Sequence, residues 1–367
     1  MNLRFDKILI VRLGALGDII NCLPVLGTLR ERFPKSYIAW AVEDKNASLL
    51  KGHPLLDDVF IFERRQWAPH WSTHPRYALS KASQFMSSMR RQKFDIALDL
   101  QGNLKSGLVI ASSNAQTRVG FKKGLVKESN HRFTNHHVDL PEVHINRVER
   151  YLTLVKDLGI DTTKSTRPDR VKSLIYIPSR DQKAIDNYLE SHSIKDRDFV
   201  IIHPGTSPFG AYKRWPSAHY AELVDKINQL NPSLKTILTW IPSERTLIND
   251  ITSKVKQTKP VTDCVTKSIT QLAALIKKAR LFIGSDSGPL YLASILGIPN
   301  IGLFGPKDPI IYKPYFNADR SVLIRKDLPC SPCKKRTCAK PDCMTLISVE
   351  DVVTEVRKLL AKLEAGS

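Results

Sequence analysis

The sequence predicts an α/β protein of two domains, each a parallel sheet covered by helices, and three observations carry that prediction. At 367 residues and 42% hydrophobic composition, the chain is too long for one ordinary core and has enough apolar material for two. Short apolar runs alternate with helical patterns, and the alternation restarts after a polar stretch at 161–172. The clearest unit, Leu281 to Phe304, reads strand, tight turn, helix and parallel strand.

Lys7–Val11 (KILIV) is a first buried strand, followed by Gly14-Ala15-Leu16-Gly17-Asp18 and an apolar helical pattern through Arg32, in which Pro24 should begin or kink a helix. Two glycines alone are not the dinucleotide fingerprint, which needs a third glycine and an acidic residue on the next strand. Ser36–Val42, Val59–Phe62 and Asp95–Leu100 read as strands, with a helix over Ser80–Arg91. From Arg118 to His137 the chain is basic and without periodicity, so loops are expected there. His144–Leu158 is a helix with Val148, Leu152 and Val155 on one face, and the Thr-, Lys-, Arg- and Pro-rich stretch at 161–172 is the expected linker.

In the second half, Phe199–His203 and Lys235–Trp240 are strands, Pro216–Leu230 and Glu244–Val255 helices, and Ser348–Leu363 a last amphipathic helix. In the unit from Leu281, Ser285-Asp286-Ser287-Gly288 is turn and N-cap chemistry, and Pro289 sits where a first helical residue belongs. Gly297 fits the left-handed position that ends the helix. A free helix N-terminus at the carboxyl edge of a sheet favours an anion such as a diphosphate, although a well-capped unit without ligand has the same pattern.

No apolar run approaches the ~20 residues of a membrane span, and Arg4, Asp6, Lys7 and Arg12 interrupt the apolar core a signal peptide needs, so a cytoplasmic protein is expected. The 56 basic and 36 acidic residues leave a net charge of +20, which implies an anionic partner: nucleic acid, a membrane surface, or a phosphorylated or carboxylated substrate.

Ligands of open α/β sheets bind outside the carboxyl ends of strands. Three such junctions concentrate polar residues here: Gly14–Asp18, His203–Trp215 and Ser285–Gly288. The loop after His203 offers Thr206, Ser207 and a mobile ammonium on Lys213 to a phosphate, while His203 itself reads as a satisfied core histidine. Asp18 is either an N-terminal cap or a general base aimed across a cleft between the domains. Asp196-Arg197-Asp198 precedes a strand, which makes it a weak candidate for a metal–diphosphate site.

Four of six cysteines cluster as Cys330-x2-Cys333-x4-Cys338-x4-Cys343, a spacing that can hold a structural Zn²⁺ through four thiolates. Zinc is read ahead of free thiols, and disulfides behind both. Cys22 and Cys264 lie in apolar surroundings and read as core thiols.

Taken together, RLGALGD at Arg12–Asp18, DLQGNLKSG at Asp99–Gly107, HPGT with KRWP between His203 and Pro216, and GSDSGPLYLASILGIPNIGLFGPKDP at Gly284–Pro309 resemble the lipopolysaccharide heptosyltransferases of glycosyltransferase family 9. The resemblance implies a GT-B fold, two Rossmann-like domains facing a central cleft. It places an acceptor domain at 1–165, a nucleotide-sugar domain at 173–346 and a closing helix at 347–367. It further implies inverting transfer of a heptose from ADP-heptose to the lipid A-linked inner core of lipopolysaccharide, at the inner face of the cytoplasmic membrane, with no metal needed for catalysis and no nucleic acid as partner.

Carried over residue by residue, Asp18 matches the catalytic base, and Thr206, Lys213, Asp286, Ser287 and Gly288 match the donor contacts. Glu244 is similar to a ribose-binding acid, and Asn103, Leu104, Lys105 and Ser106 match an acceptor-side motif. Ser287 stands where threonine is common and Tyr291 where a histidine often sits. Two other readings fit parts of the pattern: a sugar-nucleotide epimerase of the same fold, which calls for more acid–base groups near the donor sugar, and a zinc-stabilised nucleic-acid-binding protein, which calls for aromatic residues interleaved with the basic runs.

Overall fold

The computed structural model describes residues 4–365 except Trp71, Cys264, Val265, Lys334 and Arg336, and leaves aside the side chains of Arg64, Arg65, Ala68, Pro208 and Phe209. The reading of Cys264 as a core thiol therefore lies outside the described residues. The chain folds as two compact units, Met1–Tyr176 and Ile177–Ser367.

In the first unit, strands β1 (Lys7–Val11), β2 (Tyr37–Glu43), β3 (Asp58–Phe62), β4 (Ile96–Asp99), β5 (Thr117–Phe121) and β6 (His136–Val138) form one parallel sheet in the order β3-β2-β1-β4-β5-β6. The order reverses at β1, so the loops after β1 and β4 leave the sheet side by side, with Val11 in register with Asp99. Near-continuous apolar strands such as KILIV suit a sheet covered on both faces, and Ile8, Leu9, Ile10 and Val11 are all fully buried.

Helix Leu16–Arg32 follows β1 and carries Pro24 in its interior rather than at its start. Helix Arg147–Asp157 packs along it through Val148, Tyr151, Leu152 and Val155. Cys22 is buried in the same layer, a core thiol as expected.

Two expectations need correction. The stretch 118–137 is not all loop, because β5 and β6 lie within and around it. The sequence hides β5 because Arg118 points its guanidinium at the carbonyls of Phe133 and Ala115, and Gly120 stands where a Cβ would be 2.7 Å from the Thr134 methyl. The stretch 161–172 packs on the first unit, where the Ser165 hydroxyl is 2.5 Å from that of Thr28 and Arg170 pairs with Glu31.

The second unit contains β7 (Phe199–His203), β8 (Lys235–Leu238), β9 (Leu281–Ser285), β10 (Asn300–Phe304) and β11 (Ser321–Arg325), parallel in the order β11-β10-β9-β7-β8. Here the order reverses between β7 and β9, which are in register at His203 and Gly284. Helix Gly288–Ile295 joins β9 to β10 and ends before Gly297 at φ +74°, the left-handed conformation glycine adopts at no steric cost. The last helix, Val349–Ala365, buries Val349, Val352, Val353, Val356, Leu359 and Leu360 in this unit's core.

Candidate active site

Each unit carries a polar cluster at its own strand-order reversal. In the second unit the cluster grows from the loops after β7 and β9. Lys213 ends a short helical turn, Pro208–Lys213, and its ammonium donates to the Asp286 carbonyl at 2.5 Å and to Asp286 Oδ2 at 2.8 Å. The other carboxylate oxygen of Asp286 accepts from the Tyr291 hydroxyl at 2.9 Å. Both groups of the pair are largely buried, 17% exposed for Lys213 and 7% for Asp286, so the charges are held where water screens them little. Tyr291, the departure from the expected histidine, thus steadies the aspartate from the first turn of the following helix.

Beside this pair, Ser287 caps helix Gly288–Ile295 through its extended backbone, and its hydroxyl is buried with no hydrogen-bond partner among the described residues. An unpartnered buried donor at a helix N-terminus fits an anionic oxygen. Thr206 and Glu244 lie one step deeper. Arg214 donates from Nε to Thr206 Oγ1 at 3.1 Å and from Nη2 to the Thr206 carbonyl at 3.0 Å, and Nη2 lies 3.9 Å from Glu244 Oε1. Burial pushes the Glu244 carboxyl up, while the Ile241 N–H, Arg214 and the Thr206 N–H pull it back. Arg214 was missed from the sequence, although it directly follows Lys213. His203 is buried against the Thr239 hydroxyl, 3.0 Å from Nδ1, and burial lowers its pKa to about 4, as befits a core histidine.

In the first unit, Asp18 sits in the first turn of helix Leu16–Arg32, with Ala15 as the cap residue. Asp18 Oδ2 is 2.5 Å from Arg12 Nη2, and Oδ1 accepts from the Tyr151 hydroxyl at 3.1 Å. Burial pushes the Asp18 carboxyl up, but Arg12, then Arg147, with the Tyr151 hydroxyl and the Ala15 N–H, hold it below the usual carboxylate range. The Asp18 side chain keeps 27% of its surface exposed, whereas Arg12 keeps 6%.

Next to it a pocket of about 360 Å³ is lined by Arg12, Arg147, Arg150, Lys127, Asn103 and Tyr151, among others. Four cationic side chains around one cavity suit a ligand with carboxylate or phosphate groups. Asn103 caps helix Leu104–Ser112 by accepting from the Ser106 N–H. Ser106 is fully buried and donates to Asp99 Oδ2 at 2.9 Å, so it shapes the wall rather than meeting a ligand directly. Asp99 also accepts from the Gln101 and Gly102 N–H groups and the Asn130 amide, and burial raises its pKa against those donors. Lys105 reaches Glu43 at 2.6 Å, and Glu43 also pairs with Lys45. Arg12, Tyr151, Arg147 and Asn130 were not legible as site residues, since only tertiary structure gathers them.

The cysteine segment, Cys330 to Cys343, was expected to hold a structural zinc. Burial, and then the neighbouring Cys330, Cys338 and Cys333, push the Cys343 thiol up. Yet among the described residues no three His, Cys, Asp or Glu side chains are placed to hold a metal ion. Cys338 Sγ donates to the Lys340 carbonyl, and Cys333 Sγ accepts from the Lys335 N–H. Asp196 of the D-x-D tripeptide is ion-paired with Lys278 at 2.8 Å.

Residues 82–343 match the family described as Glycosyltransferase family 9 (heptosyltransferase). Lipopolysaccharide heptosyltransferase 1 of Campylobacter coli is 28% identical to this chain over 360 residues, covering 96% of this chain and 98% of the relative. The crystal structure of a glycosyl transferase family 9 protein from Veillonella parvula superposes with a TM-score of 0.81 at 22% identity, covering 99% of both chains. E. coli heptosyltransferase WaaC with ADP gives a TM-score of 0.74 at 19% identity, covering 96% of this chain and 99% of that one. The fold shared with these structures is GT-B, built from two Rossmann-like units.

Proposed function

The chain belongs to glycosyltransferase family 9, the heptosyltransferases, and from that premise we propose that it transfers a heptose from ADP-heptose to the inner core of lipopolysaccharide with inversion at the anomeric carbon. Family membership leaves neither the epimerase nor the nucleic-acid-binding reading standing. The observation that carries the proposal is the Ser287 hydroxyl, buried at a helix start without a hydrogen-bond partner among the described residues, together with the Lys213 ammonium at the same strand ends. A nucleoside diphosphate fits that arrangement: the N–H groups of the helix start and the lysine meet the phosphates, and buried Glu244 meets ribose hydroxyls.

In this reading Asp286 leaves Lys213 partly to the donor phosphates and turns an oxygen to the sugar, while Tyr291 keeps the carboxylate in place. Displacement at the anomeric carbon develops oxocarbenium character and negative charge on the leaving diphosphate. Lys213 and the helix start neutralise that charge. Asp18 takes the proton of the acceptor hydroxyl. Its lowered pKa keeps it ionised at neutral pH but makes it a weak base, so the proton moves late, once bond formation has acidified the hydroxyl.

The cationic pocket beside Asp18 suits the acidic inner core, with Asn103 and Lys105 at its helix. The glycolipid acceptor places the enzyme at the anionic inner face of the cytoplasmic membrane as a peripheral protein, and no helix among the described residues is long and apolar enough to cross a membrane. The spacing of Cys330, Cys333, Cys338 and Cys343 is the basis for keeping a structural zinc in the proposal. Incubation with ADP-heptose and inner cores carrying none, one or two heptoses should add one heptose to one of them by mass, with inverted configuration by NMR. No mass gain on any of them with an intact donor would overturn the assignment.

A further inference from the structure

Helix Leu104–Ser112 has a fully polar reason to exist at one end and an unexplained apolar one along its side. Its inner face is buried through Ser106, Gly107, Val109 and Ile110. Its outer face is Leu104, Leu108 and Ala111, spaced i, i+4, i+7, with the two leucines 45% and 46% exposed. A helix in contact only with water would carry polar residues there. Phe133, half-buried, packs against the helix at Gly107, where a Cβ would lie 2.4 Å from the ring.

In the segment tied to this helix the charge is one-sided. From Arg118 to His137 there are five lysines and arginines, namely Arg118, Lys122, Lys123, Lys127 and Arg132, against one acid, Glu128. Lys123, Lys127 and Arg132 are exposed. Glu128 does not oppose them freely, since its Oε2 accepts from the Leu104 N–H at 3.0 Å and ties this loop to the helix start. The Lys127 N–H donates to the Gly102 carbonyl at 2.9 Å, a second tie. Gly102, Asn103 and Lys127 also line the cationic pocket, so the apolar stripe begins where that pocket's wall ends.

We propose that Leu104, Leu108 and Ala111, flanked by Lys123, Lys127 and Arg132, form the face through which the first unit docks on an anionic lipid bilayer. The inference rests on the proposed lipid-linked acceptor, whose sugar must reach the pocket while its acyl chains stay in the membrane. Two leucines enter the headgroup boundary, and the cations meet lipid phosphates. The charge complementarity selects a bilayer as occupant over a second copy of this chain, which at +20 would bring like charge to the same face.

The test is co-sedimentation of the full-length protein with phosphatidylglycerol–phosphatidylethanolamine vesicles and with phosphatidylcholine vesicles. Wild type should bind the anionic vesicles only. Leu108→Ser should weaken that binding at least about fivefold, and Lys123→Glu/Arg132→Glu at least about twentyfold. Both variants should transfer heptose to a soluble, delipidated inner-core acceptor at the wild-type rate, which also shows that they fold. Unchanged vesicle binding in both variants overturns the docking face. Self-association of the wild type that the leucine variant abolishes, without vesicle binding, overturns it in favour of a second copy. Failure of the wild type on the soluble acceptor counts against the transferase reading instead, and the vesicle result is read without it.

Discussion

Gly205 passes so close to Glu244 that a Cβ on it would sit 2.1 Å from Glu244 Oε1 and 2.3 Å from the carboxyl carbon. The loop after β7 therefore fits only around a bare backbone, and the buried acid is held against it by the Ile241 N–H and by Arg214. Gly205→Ala should push the carboxylate out of register, costing about 1–3 kcal/mol of stability. ADP affinity measured by calorimetry should fall about tenfold, and wild-type affinity in the variant would remove Glu244 from the nucleotide site.

Lys213→Ala removes a largely buried cation from beside Asp286 and leaves that carboxylate accepting from the Tyr291 hydroxyl. Calorimetry should show ADP binding weakened by about tenfold or more, as expected for a charge-assisted contact to phosphate. AMP, which lacks the second phosphate, should lose much less. Equal losses for both nucleotides would place Lys213 away from the diphosphate.

Asp18→Asn should lower turnover by ~10²- to 10⁴-fold while ADP affinity stays unchanged, because the proposed general base is lost and the proposed donor residues lie in the other unit. Stability should drop too, by about 2 kcal/mol, since the buried Arg12 guanidinium keeps the Leu100 carbonyl but loses its carboxylate. Tyr151→Phe removes only one hydrogen bond to Asp18 and should cost far less activity. Turnover near wild type in folded Asp18→Asn would refute the base assignment.

His203 supplies a pH signature. Its pKa falls from the ordinary ~6.5 to about 4 in the folded protein because the ring is buried. As pH falls, the unfolded chain takes up the proton first, so this contribution is full above ~6.5 and is lost by about 4, amounting to at most about 3 kcal/mol. Urea titrations across that window should show a shallower pH slope for His203→Gln than for wild type. Identical slopes would mean that His203 titrates normally.

Protein purified without chelator should contain about one zinc per chain by elemental analysis if the cysteine segment closes on a metal. Four freely titratable thiols with no metal would leave Cys330, Cys333, Cys338 and Cys343 as the free cysteines seen here.

The sequence was most readable where chemistry and geometry coincide locally. KILIV, FVIIH and NIGLF are strands at the expected residues, because a strand buried on both faces leaves few ways to read an apolar run. Helix Ser179–Ser191 was missed, since only Asp181, Ile185 and Leu189 of its thirteen residues are buried and most of the rest is polar. Lys213, Asp286 and Ser287 were found because turn residues mark them, and the structure brings the first two into contact. Asp18 was found but its surroundings were not: Arg147 and Tyr151 have no local motif, and Arg12, although it opens RLGALGD, carries no sign in sequence that its guanidinium is buried against Asp18.

Asp99 gives the wall of the cationic pocket the character of an exchangeable part. One carboxylate fastens the end of β4, the start of helix Leu104–Ser112 and the turn at Asn130 into a single piece. Transplanting residues 99–133 whole from a relative with another acceptor should carry that acceptor preference with it, because every donor to the carboxylate travels along. Transplanting 99–112 without residue 130 would strand a buried carboxylate oxygen at a mismatched junction, so changes of specificity in this scaffold are expected to come as blocks rather than as single substitutions.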